Sequence, residues 1–291
     1  METLKTFLVA GHPFAITGKE LCRAVEQIEG FKPFEIPATD PFFVFCEDTS
    51  IPLIKDRLHT FCYEDVTGDF CRTTDGYLLT LQPSHEPPLY LWVRQGQTQV
   101  SMCGNFSIRL SRFALWIGFG LMTLSKQTLA IHSSCLVYNK KAILFLGESG
   151  TGKSTHTALW RKHIDGTTLL NDDSPMLRIK DGKLFAYGSP WSGKTPCYKN
   201  ECYEIAACVR LSQAPYNKIE LLPVLQAYGA IHPSCAPSFA YCDELYDTIS
   251  EILGQVISTI PIFHLACLPD REAAELACHT LFQTSWMFHT D

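Results

Sequence analysis

Hydrophobic positions along the chain fall into two regimes. Up to about residue 104 they come mostly as short β-type runs, interrupted once. Phe42-Phe43-Val44-Phe45-Cys46-Glu47 reads as a strand, a hairpin pivots on Asp75-Gly76, and the run from Tyr90 to Met102 turns back on itself at Gln95-Gly96-Gln97. The interruption is helical: Leu21, Val25 and Ile28 share one face, Thr17-Gly18-Lys19-Glu20 has the form of a capping box, and Gly30 predicts the stop. Pro83 to Pro88 reads as a connector, and His12, His59 and His85 stand alone. Residues 1–104 are therefore expected to form a small α+β unit.

Longer elements follow, and 105–291 is expected to form the larger domain. Ile108 to Ser125 predicts a helix; its most apolar part, Phe113 to Leu124, is twelve residues between Arg112 and Lys126. That is short of the ~20 a membrane-spanning helix needs, so it reads as a buried helix. Residues 129–147 predict two strands joined at Asn139-Lys140, with His132 on the first. Thr155 to His163 reads as a short helix, Asp165-Gly166 as a turn and 167–171 as a buried strand. Leu245, Ile249, Ile252, Leu253, Val256 and Ile260 keep helical spacing until Pro261; a strand over 261–267 and a closing helix from Glu272 to Phe282 complete an α/β pattern.

Composition narrows the partners. With a formal net charge of −6 and no Lys/Arg block, neither a nucleic-acid backbone nor an anionic membrane is expected as the main partner. Thirteen cysteines, an odd number without any Cys-x-x-Cys pair, suit reduced buried thiols in a cytoplasmic protein, and the N-terminus with Glu2 and Lys5 lacks the shape of a signal peptide. His264 and Cys267 are too thin a cluster for zinc.

The candidate chemistry lies between the two predicted strands and the next. Gly147-Glu148-Ser149-Gly150-Thr151-Gly152-Lys153-Ser154-Thr155 follows an apolar strand and opens a helix. Its glycines let backbone N–H groups converge on phosphate oxygens, with Lys153 reaching the β/γ-phosphates, Ser154 a ligand for Mg²⁺ and Thr155 a weaker contributor. Asn171-Asp172-Asp173 ends the next strand, nineteen residues separating Lys153 from Asp172. Such a short crossover returns the carboxylates to the same sheet edge as the loop. Adjacent acids cannot point identically from a strand end, so one is expected to face metal and the other an incoming hydroxyl; a helix cap or solvated turn is the alternative. Residues 187–200, with Lys194 and Lys199, read either as a lid or as a plain exposed loop. Arg210 could face phosphate or solvent.

The segments IHSSCLV, LFLGESGTGKST, LLNDDSP and GSPWSGK resemble the P-loop kinase core of the HPr kinase/phosphorylase family, which is related to phosphoenolpyruvate carboxykinase. The resemblance covers roughly residues 128–195. It implies a P-loop core with a mixed sheet, ATP and Mg²⁺ as cofactors, and a serine-type hydroxyl as acceptor. By that resemblance the phosphate loop falls on Gly147 to Thr155, the upstream histidine on His132, the base toward the acceptor on Asp172, and Asp173 assists the metal beside Ser154. The family's later glycine-rich signature is absent and residues 1–104 have no match to it, so HPr is not the expected substrate.

The expected function is ATP-dependent transfer of phosphate to a hydroxyl of a protein, peptide or small molecule. An ATP-binding sensor without transfer is the alternative, and a phosphorolytic reverse reaction stays open. A GTPase switch is excluded because Asn217-Lys218-Ile219-Glu220 ends in Glu where guanine recognition wants Asp. The sequence leaves a homo-oligomer possible.

Overall fold

Two nine-stranded sheets carry most of the chain. The computed structural model describes residues 4–193, 195–235 and 242–282. The first sheet contains β1 (Leu4–Val9), β2 (His12–Thr17), β3 (Glu35–Ile36), β4 (Phe43–Glu47), β5 (Ile54–Tyr63), β6 (Val66–Thr73), β7 (Gly76–Pro83), β8 (Leu89–Arg94) and β9 (Gln99–Gly104), in the order β3-β1-β2-β4-β9-β8-β7-β6-β5. Parallel pairings of β4 with β2 and β9 make it mixed; the hairpins at Asp75-Gly76 and Gln95-Gly96 supply the antiparallel pairs β6–β7 and β8–β9, and β5–β6 and β7–β8 complete the antiparallel half.

The first helix, α1 (Lys19–Glu26), is held differently from the predicted capping box. Gly18 is its N-cap and no side chain of the box caps it; instead Glu47, at the end of β4, accepts the Leu21 N–H at 2.8 Å. Gly30 does not stop the helix either. The helix ends at Glu26, and Gly30 lies inside a 3₁₀ stretch, Glu29–Phe34, where a Cβ would sit 2.2 Å from the Pro190 carbonyl oxygen. A close approach between distant segments, rather than a terminus, requires that glycine.

Helix α2 (Ile108–Leu124) connects the two sheets and packs on both. Phe119 meets Phe14 and Phe43 of the first sheet and Trp191 of the second half, with ring centroids 5.6, 6.0 and 5.4 Å away. One hydrophobic core therefore runs from Phe7 to Ile262 through this helix.

The second sheet contains β10 (Thr128–Ala130), β11 (Ser133–Tyr138), β12 (Lys141–Leu146), β13 (Thr168–Asp173), β14 (Met176–Lys180), β15 (Lys183–Tyr187), β16 (Cys202–Gln213), β17 (Lys218–Leu221) and β18 (Ile262–Cys267). Its order is β10-β14-β15-β16-β12-β11-β13, with β18 on the outer half of β16 and β17 beside β18. Asn139 and Lys140, both at positive φ, make the two-residue turn between β11 and β12. Helices α3 (Lys153–His163) and α6 (Arg271–Phe282) pack together, with α3 against β11, β12 and β13. On the other side, α4 (Val224–Ile231) packs on α5 (Asp243–Thr259). The architecture is α/β with two mixed sheets. All thirteen cysteines are free thiols, and no described helix is long and apolar enough to cross a membrane.

Candidate functional site

Strand β11 runs antiparallel to both β12 and β13 and lies between them, so β12 and β13 are parallel and end at one edge. Across that edge Arg210, Leu146, Ser133 and Asp173 form one row of register partners, and Val209, Phe145, Ser134 and Asp172 form the next. Cross-strand partners share a face and successive residues alternate. Asp172 therefore joins the face covered by α3, where Phe145 packs on Trp160, while Asp173 joins the opposite face with Arg210.

The glycine-rich loop leaves β12 at this edge. Gly147, Gly150 and Gly152 all have positive φ, and a Cβ on Gly147 would sit 2.4 Å from Thr151 Oγ1. Thr151 closes the turn by donating from N and Oγ1 to the Glu148 carbonyl, at 3.2 and 2.9 Å. Gly152 caps α3 without a side-chain hydrogen bond, and no acid occupies the first turn. The helix thus presents its amide N–H groups and positive dipole end to the space above the loop, an arrangement that fits an anion.

The two carboxylates have different surroundings. Asp172, 6% exposed, accepts from Ser134 Oγ at 2.6 Å and from Ser154 Oγ at 3.1 Å. Asp173 has a half-buried side chain, and its Oδ1 lies 3.1 Å from His132 Nδ1. His132 sits between β10 and β11 rather than on a strand, with its N–H on the Ser234 carbonyl. Its Nε2 is 3.1 Å from Lys153 Nζ. An ammonium only donates, so Nε2 accepts and Nδ1 carries the proton given to Asp173. Lys153 also donates to the carbonyls of Gly147 and Glu148, at 2.7 and 3.1 Å. Burial lowers the Lys153 pKa; Asp173 and Asp172 oppose that and Arg210 adds to it.

Arg210 reaches Glu148 Oε1 at 3.5 Å and the Ala230 carbonyl at 3.3 Å, so it faces the loop. Lys199 has no hydrogen bond or ion pair to the loop or the acids among the described residues, and Lys194 lies outside them. The segment expected as a lid is pinned over its first half. Gly188 through Ser192 are buried; Asn171 Nδ2 donates to the Trp191 carbonyl at 3.2 Å, Ser189 Oγ donates to the Ser174 carbonyl at 2.6 Å, and Gly193 N donates to the Asp172 carbonyl at 3.0 Å. Those bonds make residues 188–193 a wall beside the acids and not a free flap.

Two contributors carry no role in the sequence reading. Ser134 holds Asp172, and the only sign of it is a serine pair inside the apolar run after His132. Asn171, fully buried, accepts the N–H groups of Asp173 and Ser174 at 3.1 and 2.8 Å and so sets the turn that aims Asp173.

One cavity borders the loop and another borders Asp173. The first, of about 710 Å³, is bounded by Gly150, Gly152, Thr155, Leu211, Pro215 and Leu268. The other, of about 650 Å³, includes His132 and Asp173 in its lining. Magnesium can be tested against the donors alone. Ser154 Oγ and the Asp172 carboxylate are hard oxygen donors in contact, a number that fits an ion completing its shell with phosphate oxygens and water.

No protein-family model matches the chain, and no curated protein matches it. A solved structure to which it is similar is the Hpr(Ser) kinase/phosphatase from Coxiella burnetii, 17% identical, covering 54% of this chain and 89% of that chain with a TM-score of 0.31.

Proposed function

We propose that the protein is an ATP-dependent phosphotransferase acting on a hydroxyl acceptor. The observation that carries this reading is the alternation at the end of β13: Asp172 meets Ser154 on the face of α3, and Asp173 meets His132 on the other face beside a second cavity. The nucleoside would occupy the cavity past Gly150 and Gly152, its phosphates lying over the loop amides toward Lys153. When bound, Mg²⁺ would supply charge neutralisation of the phosphate oxygens, held by Ser154 and Asp172.

This arrangement exchanges the two roles that the family resemblance implies. Asp172 is buried and already bonded to the hydroxyl expected on the metal, whereas Asp173 opens toward the acceptor side. Asp173 would take the proton of the acceptor hydroxyl as its oxygen bonds to the γ-phosphorus, while the bond from that phosphorus to the β–γ bridging oxygen breaks and ADP leaves. His132, donating through Nδ1, orients the Asp173 carboxylate. Lys153, the loop amides and Arg210 would stabilise charge on the transferring group.

Incubation with γ-labelled ATP, Mg²⁺ and hydroxyl acceptors, including free serine and cell extract, tests this reading. Label on an acceptor supports it. Nucleotide binding with neither transfer nor turnover would instead identify an ATP-binding sensor.

A further inference from the structure

The cavity on the Asp173 side is built from both halves of the chain. Tyr63 comes from the end of β5, Phe113 and Trp116 from α2, and Trp191 from the pinned segment after β15. Tyr63 stacks on Phe113 with centroids 5.6 Å apart, and Phe113 meets Trp116 at 5.7 Å, which makes one continuous aromatic wall. Trp191 is fixed from behind by Phe31 and Phe119, and its Nε1 donates to the Arg112 carbonyl at 3.0 Å.

Two arginines border this wall. Arg109 pairs with Asp65 and, at 3.4 Å, with Glu64; Arg112 donates to the Ser192 carbonyl. Arg109 is thus neutralised by carboxylates, whereas Arg112 spends an N–H on a neutral carbonyl and has no carboxylate partner among the described residues. Asp173 and His132 also line the cavity, and Asp173 brings it a carboxylate. A volume of about 650 Å³ is within the range of pockets that enclose a small molecule, and walls of this kind bind flat or bulky apolar groups.

We propose that this cavity is the acceptor site and takes a small hydroxyl-bearing molecule with an aromatic or bulky apolar body. The transfer step rests on the phosphotransferase reading; recognition of the body does not. It also assigns a task to the first sheet, whose Tyr63 supplies part of the wall.

The test separates the two claims. The full chain, ¹⁵N-labelled at tryptophan, is titrated with 2-(2-naphthyl)ethanol, glycerol or serine without nucleotide, following the indole N–H signals of Trp116 and Trp191. The same alcohols are then offered as acceptors with γ-labelled ATP and Mg²⁺. The expected result is a saturable shift of both signals with the naphthyl alcohol, and affinity for glycerol and serine lower by at least roughly tenfold. Tyr63→Ala and Ile108→Ala change residues that are each 44% exposed, and each should weaken naphthyl binding by roughly tenfold. Unmoved indole signals, or equal binding of the polar alcohols, overturn the proposal even if serine is phosphorylated. Shifted signals without transfer to any acceptor uphold the aromatic site and count against the phosphotransferase.

Discussion

Adjacent aspartates serve different faces of one strand, and that separation makes their roles experimentally distinct. A positioned base is worth ~10²–10⁴ in rate. Asp173→Asn should lose transfer by about that factor while retaining nucleotide affinity, because the amide keeps the shape but cannot take the proton. Asp172→Asn should chiefly raise the Mg²⁺ concentration needed for turnover, measured as rate against Mg²⁺ at saturating ATP. If Asp173→Asn turns over normally and Asp172→Asn stays slow at saturating Mg²⁺, the roles implied by the family resemblance are restored. A second expectation concerns two buried histidines. Burial lowers the His156 pKa from 6.5 to about 4, with Trp160 Nε1 donating to its Nε2 at 3.0 Å. Burial, then Arg178 and Lys126, lower that of His12 to about 3. As pH falls below 6.5 the unfolded chain takes up these protons and the native state does not, so stability is full above that pH and declines toward the folded values. Each histidine contributes a slope of up to ~1.4 kcal/mol per pH unit. Urea unfolding at pH 7.5, 6 and 5 should show the decline, and His156→Gln, which keeps an acceptor for Trp160, should remove one of the two contributions.

Helix α1 depends on a residue remote in sequence. Glu47 accepts its Leu21 N–H, so Glu47→Ala should destabilise the protein by ~1 kcal/mol, whereas Thr17→Ala, at the first position of the apparent capping box, should cost less than ~0.5 kcal/mol. Equal losses in denaturant titrations would mean that the cap is local after all. The contrast also shows where legibility ends. Turns made by adjacent residues are readable, as at Asn139-Lys140 and Asp75-Gly76, because their φ demands fall on the residues themselves. The span of α2 and the approximate spans of β11, β12, β13, β18 and α6 are readable from periodicity and breakers. The shared edge of the glycine loop and the acid pair follows from the short crossover, although the insertion of β11 between β12 and β13 does not. What stays hidden depends on contacts between distant segments: Glu47 on α1, Gly30 against Pro190, Ser134 on Asp172. The first hairpin, β1–β2, turns on Ala10-Gly11 with Ala10 at a positive φ that its residue type does not announce, and the aromatic wall joins Tyr63 to Phe113 only through tertiary packing.

The two sheets are read from sequence as separate units, yet their packing favours a single cooperative structure. Gly118 on α2 has no room for a Cβ, which would lie 2.6 Å from Phe45 of the first sheet. Trp191 is wedged between Phe31 and Phe119, His12 Nε2 is 2.8 Å from Thr128 Oγ1, and Arg178 donates to the Ala10 carbonyl at 2.6 Å. Unfolding either half alone would expose apolar faces of α2 and Trp191 and strand the Arg178 guanidinium, each costly when buried partners are lost. The intact chain should therefore unfold in one calorimetric transition with van't Hoff and calorimetric enthalpies equal, and Trp191→Ala should lower that midpoint without splitting it. Two resolved transitions would show that the halves are energetically independent. In that case the first sheet would not hold the aromatic wall in place, and Tyr63 could not shape acceptor choice through a fixed cavity.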